Sequence, residues 1–246
     1  MHEAIEQLYS VFAPCHLGND FAGCPCCVTP RQSAALAAKP LRQLTTKDLE
    51  HYATKAITTW GNVRHFKHFL PRLLELSSEQ ESGDSRLWEG VFERLGYANW
   101  ESWPPAEQTA VKEFLLHLWK HYLNLPVYGC LGADVPDLLC FLGCACSSIK
   151  PFLETWLHTK TPSAAASLAA LIYTNSAQLI KKGRFEYAYW SPTDQPHREL
   201  IEWLQSDAVL NYMTWGDKVI SSGAPADYFG YALPQLQAIR IALRKL

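Results

Sequence analysis

Apolar residues recur at three- and four-residue spacing through almost the whole chain, and no run shows the two-residue alternation of a half-buried strand bounded by hairpin turns. A chain patterned this way can bury its apolar side chains only by winding them onto helix faces. The predicted fold is therefore all-α, a multi-helix array of antiparallel helical hairpins with roughly ten to twelve helices. With 246 residues, 48% of them hydrophobic, one helical domain over residues 1–246 can bury a substantial core. The clearest place for a division is the polar stretch "EQESGDS", near 79–85.

Capping residues punctuate the pattern. In "TTKDLEHYATKAITTWG" either Thr45 or Thr46 offers an N-cap, Asp48 favours the positive helix end, and Gly61 can adopt the left-handed conformation that ends a helix. The spacing predicts a helix from about Lys47 to Trp60. Asn62 then caps "NVRHFKHFLPRLLEL", whose Val63, Phe66, Phe69, Leu70, Leu73 and Leu74 form one apolar face, and Pro71 predicts a kink or a break. The junction recurs in "MTWGDKV", where Gly216 and Asp217 take the roles of Gly61 and Asn62, but the flanks do not match and no regular repeat emerges. Further helices are predicted to begin near Glu3, Pro30, Asp84, Pro105, Asp134, Pro151, Ser163, Asp194, Asp207 and Leu233.

The balance of 22 basic against 24 acidic residues gives a formal net charge of −2, which offers no bulk attraction to a polyanion, so nucleic acid is not an expected partner. The start, "MHEAIEQLYSVFAP", carries two glutamates where an export signal needs a basic segment and an apolar core. The longest near-apolar run, "LLCFLGCACSSI", falls short of the roughly 20 residues of a membrane span. A cytoplasmic chain with reduced cysteines and no membrane contact is the expectation.

Three of the eight cysteines crowd into "GCPCC". They lie in a loop of about sixteen residues, longer than compact domains usually carry without a functional or stabilising reason. Cys24 and Cys27 have the two-residue gap of a zinc knuckle, Cys26 adds a third sulfur, and Cys15 and His16 stand just upstream as further donors. A metal, with zinc the candidate, would supply the stability that a loop without its own core lacks. Two other readings stay open: reduced cysteines packed under neighbouring helices, and a redox or catalytic thiol in a Cys-Pro-x-Cys arrangement.

His68, on the same helical side as His65, is expected close to this loop, either as a distant ligand or as a hydrogen-bonding partner of a ligand. With Arg72 one turn on, that stripe reads alternatively as an anion-holding or simply solvated basic face. Glu113, His117 and His121 share one side of another helix and read as an exposed polar face. Cys140, Cys144 and Cys146 sit in an apolar helix and read as core. The cluster "KKGR", Lys181 to Arg184, mixes charge with the aromatics that follow it, as a binding surface does. No nucleophile elbow, His-Glu-x-x-His, phosphate-cradling glycine loop or dinucleotide fingerprint is present.

In "GCPCCV", "TTWG" and "HFKHFLPRLLEL" the sequence resembles an uncharacterised family of bacterial helical proteins, over roughly residues 1 to 80. The resemblance implies shared features at the Cys24–Cys27 loop and at the helix bearing His68, and it implies no activity, substrate or cofactor. Cys15 and His16 depart from the pattern.

Two functions follow from these readings. The first is a helical protein that binds another macromolecule, as an immunity or adaptor protein does, with the metal as a staple; aromatic side chains in "YANWESWPP" and "GRFEYAYW", Trp100 and Trp190 foremost, are its expected exposed anchors. The second is a metal- or thiol-dependent enzyme that uses Cys24, Cys26 or Cys27 with a histidine.

Overall fold

Helices begin where a side chain is at hand to satisfy the first free backbone N–H groups. In the computed structural model, which describes residues 1–79, 86–125, 134–185, 190–191, 193–220 and 229–245, three consecutive helices open with complete capping boxes. They are α2 (Pro30–Ala38) behind Thr29, α3 (Thr46–Lys55) behind Thr45 and α4 (Val63–Ser78) behind Asn62, with α1 (His2–Phe12) before them. The chain continues through α5 (Arg86–Tyr97), α6 (Pro105–Asn124), α7 (Asp134–Ala145), α8 (Lys150–His158), α9 (Pro162–Lys182), α10 (Gln195–Gln205), α11 (Asp207–Ile220) and α12 (Phe229–Leu243). The fold is all-α, with twelve α-helices and no strand among the described residues.

The chain divides into two compact units, residues Met1–Leu118 and Trp119–Leu246, with the boundary inside α6. In the first, α4 is the central element: it packs against α1, α3 and α5 and buries Phe66, Phe69, Leu70, Leu73 and Leu74. In the second, α9 is central, lying against α7, α11 and α12. The expected division near 79–85 begins at Glu79, and its residues 80–85 lie outside the described ones. The helices on either side of it, α4 and α5, belong to the first unit and pack together there.

Three sequence expectations are corrected. The helix expected to reach Trp60 stops at Lys55, because Ala56 leaves the helical conformation and Ile57 takes a left-handed one, φ 69°. Of the kink or break expected at Pro71, the break is absent: α4 runs to Ser78 with Pro71 buried inside it. Gly216 and Asp217 form no junction, since α11 passes straight through them. A glycine inside a helix costs only about 1 kcal/mol relative to alanine, and Val209 and Met213, fully buried on α11, outweigh that cost.

Capping in the second unit uses a long-range carboxylate. The N-cap residue of α8, Ile149, has no capping side chain, and the Ser148 hydroxyl accepts only the Lys150 N–H, at 3.3 Å. Glu199 of α10, only 3% exposed, instead accepts the Ile149 backbone N–H at 2.7 Å, the Ser148 hydroxyl at 2.9 Å and the Gln195 amide at 2.9 Å. Replacing Glu199 with alanine orphans a buried N–H and a hydroxyl together, and Glu199→Ala is expected to cost about 2–3 kcal/mol in urea unfolding. Glu199→Gln keeps an acceptor in place and should cost clearly less.

Candidate metal centre

The loop between α1 and α2 is bound to α4 by a row of side chains. His68 Nδ1 bonds the Cys15 carbonyl at 2.8 Å, His65 Nε2 bonds the Leu17 carbonyl at 2.8 Å, and Arg64 bonds the His16 carbonyl at 3.3 Å and the Asp20 carboxylate at 2.5 Å. The Arg64 guanidinium holds the Asp20 carboxyl below its usual range. His65 is only 1% exposed, so it is no part of a solvated basic face. Its Nδ1 accepts the Asn62 backbone N–H at 3.1 Å, which leaves the proton on Nε2 for the Leu17 carbonyl. Arg72 is likewise engaged within the fold, at the Leu44 carbonyl and at Glu75.

Further along, Phe21 stacks on Trp60 with 6.0 Å between ring centroids and 13° between planes, and it meets Tyr52, His65 and Phe69 edge-on or tilted. The residues expected to extend α3 form a tight turn whose edge pairs with the loop. Thr59 accepts the Cys24 N–H at 2.7 Å, and Ala22 accepts the Gly61 N–H at 3.0 Å. Two glycines are required here. A Cβ at Gly23 would lie 2.5 Å from the Val28 side chain, and Gly61 has φ +72° with His65 packed 2.9 Å from where its Cβ would be.

This scaffold presents the three sulfurs. The Cys24 carbonyl accepts the N–H groups of Cys27 and Val28, both at 2.9 Å, and the resulting turn gathers the thiols of Cys24, Cys26 and Cys27 within 4.8 Å of one another. Cys24 Sγ lies 2.8 Å from Cys26 Sγ, which lies 3.4 Å from Cys27 Sγ. Hydrogen bonding from Cys26 lowers the Cys24 pKa, while the same contact pushes the Cys26 thiol up to about 11. Cys26 and Cys27 are exposed and Cys24 is half-exposed. The expansion needed to admit an ion is small: metal–sulfur bonds of about 2.3 Å set sulfurs roughly 3.8 Å apart around a tetrahedral centre.

His68 does not join the thiols. It is not within 4.8 Å of all three sulfurs; its Nδ1 is on the Cys15 carbonyl, its ring packs edge-on against Phe69, and burial lowers its pKa. Cys15 and His16 do not join either, and among the described residues Cys24, Cys26 and Cys27 make the only group of three or more Cys, His, Asp or Glu donors close enough to hold a metal. The sequence reading missed the anchoring role of Arg64, His65 and Asp20. Its signal was a buried-side histidine pair beside a loop too long to order itself.

The other candidates fall elsewhere. Trp100 and Trp190 are buried, at 5% and 6% exposed, and are not surface anchors. The Trp190 indole donates to the Cys140 carbonyl at 3.0 Å and covers Gly143, which has no Cβ to obstruct it. Of the first aromatic stretch, Tyr97 is the exposed ring, while the Trp103 indole is tied to the Ala98 carbonyl at 3.1 Å. In "GRFEYAYW" residues 186–189 lie outside the described ones. His117 and His121 are exposed, and Cys140 and Cys146 are buried. Lys182, Gly183 and Arg184 of the basic cluster line an open cavity of about 340 Å³ with His197, Arg198, Ile201 and Glu202. No described helix is long and apolar enough to cross a membrane. No protein-family model, curated protein or solved structure matches the chain.

Near neutral pH, above the range of its lowered carboxylates, the first unit responds through His68. Its folded pKa lies below the unfolded value of about 6.5, so its contribution is complete above that value and is lost as pH falls through the folded pKa. Thermal stability is expected to decline as pH falls below about 6.5, and His68→Gln, which cannot charge, should flatten that part of a melting-temperature profile.

Proposed function

We propose that this chain binds a thiophilic metal ion through Cys24, Cys26 and Cys27 and acts by engaging another macromolecule, with the ion at the contact. The observation that carries the reading is the convergence of three thiols within 4.8 Å on an exposed turn. Zinc and monovalent copper are both ions that thiolate sets take, and structural zinc takes four ligands. For zinc the fourth donor would come from outside the described residues, and a side chain of the partner is one source. A docking residue that ligates the ion adds a directional bond to whatever area the two surfaces bury, and it makes association depend on the metal.

The loop's anchorage sets the energetics. Its carbonyls, its Phe21 ring and its two backbone bonds to the Thr59–Gly61 turn are all held by protein groups. The ion therefore acts on a site already shaped for it, which differs from a zinc finger that folds only with metal. A coordination position open to solvent is also what a catalytic metal site keeps, and this favours as second reading a metal-dependent enzyme working at the same three thiols.

Metal analysis of protein purified without added metal is the direct test, with one thiophilic ion per chain expected. Cys24→Ser combined with Cys27→Ser should abolish retention, while His68→Ala should retain metal as well as His117→Ala does. Chelation should leave the Cys24 and Gly61 amides protected in hydrogen exchange. Absence of stoichiometric metal sinks the proposal, and metal-dependent turnover of a small substrate without a protein partner decides for the enzyme.

A further inference from the structure

We infer that the resident ion at Cys24, Cys26 and Cys27 is monovalent copper, held by three sulfurs alone and exchangeable with an incoming thiolate. The inference rests on the proposed metal site and narrows it to one ion and one mode of use.

The donor inventory carries the argument. The described donors that meet at the site are three sulfurs, with no nitrogen or oxygen among them. No described His, Asp or Glu donor lies within 4.8 Å of all three sulfurs. His68 is on the Cys15 carbonyl, His65 spans Leu17 and Asn62, and the Asp20 carboxylate is on Arg64. Through these contacts the three hold the loop against α4 and not the thiols. An all-thiolate donor set selects soft ions, and monovalent copper is the softest of the common biological metals and is content with three ligands. Zinc binds thiolates too, but it reaches its preferred stability with four.

Exposure supplies the second half. Cys26 and Cys27 are exposed and Cys24 half-exposed, so the ion would lie at the surface, with the backbone turn behind it. A thiolate from another protein can add to a three-coordinate ion before one of the three resident sulfurs leaves. The ion then passes by ligand exchange: copper–sulfur bonds form and break one at a time, copper stays monovalent throughout, and a thiol that loses the ion takes back a proton. A closed four-ligand site has no vacant position for such an attack.

The test uses the full chain, reduced and metal-free, under anaerobic conditions. Monovalent copper is titrated in competition with a bathocuproine chelator, and zinc is titrated in parallel against a zinc chelator. The expected result is one copper per chain, held at least about 100-fold more tightly than by Cys26→Ser. X-ray absorption should report three sulfurs and no nitrogen around the ion. His68→Ala should leave the copper affinity unchanged, and Cys26→Ser, at an exposed position, is checked for native circular dichroism. Retention of zinc with loss of copper, or a nitrogen in the copper shell, overturns the inference while the metal site stands. Failure to retain either ion above the level of a Cys24→Ser, Cys26→Ser, Cys27→Ser variant overturns both.

Discussion

The imidazole of His65 is locked between the backbone N–H of its own helix cap and the Leu17 carbonyl of a distant loop, and the shape of the cysteine turn depends on that link. A buried imidazole has one donor and one acceptor to place, and here Asn62 takes the acceptor and Leu17 the donor, so the ring has a single satisfactory orientation. That orientation lets Phe21 pack against its face, which brings Phe21 onto Trp60 and the Ala22–Cys24 backbone alongside Thr59 and Gly61. One side chain thus connects the start of α4 to the geometry of three sulfurs that it does not touch.

The same link explains where sequence pattern succeeded and failed. The starts of α2, α3 and α4 were legible because Thr29, Thr45 and Asn62 cap locally, within three residues of the groups they satisfy. The end of α3 was not. "KAITTWG" continues the apolar spacing, but Trp60 is worth more stacked on Phe21 than wound onto the helix. That arrangement forces Ile57, a β-branched residue, into a left-handed conformation. A tertiary contact from a loop thirty-odd residues earlier has no signature in the local period.

Tryptophans in turns misled for a related reason. Trp100, Trp103 and Trp190 stand among proline, glycine and polar neighbours, where no helical face is available to bury them, and exposure was the natural reading. An indole, however, can fold back over an adjacent helix when its N–H finds a carbonyl there. Trp190 does so over Gly143 with the Cys140 carbonyl, and Trp103 does so with Ala98. The buried Trp119 and Trp156 also reach carbonyls, those of Phe152 and Ala164. The clustering of Cys24, Cys26 and Cys27 was legible from spacing alone, because donors within four residues of one another need only a turn to bring them together. That His68 stays outside the cluster was not, since nothing in the sequence shows that its Nδ1 meets the Cys15 carbonyl, upstream of the three thiols.

A loop anchored by side chains of a rigid helix and a loop anchored by its metal make different demands on the ion. Where the metal holds the fold, much of its binding energy is spent on ordering the chain, four ligands are needed, and release is costly because the chain unfolds with it. Where α4 holds the loop, ordering has already been met by His65, His68, Arg64 and Phe21. Three sulfurs then suffice, the remaining coordination position can stay open, and an ion can arrive or leave without disturbing the protein behind it. Cys26 and Cys27 stay exposed on this firmly held turn, whereas Cys140 and Cys146 are buried. Reduced thiols that served only as filler would gain more by facing the core, as Cys140 does in α7.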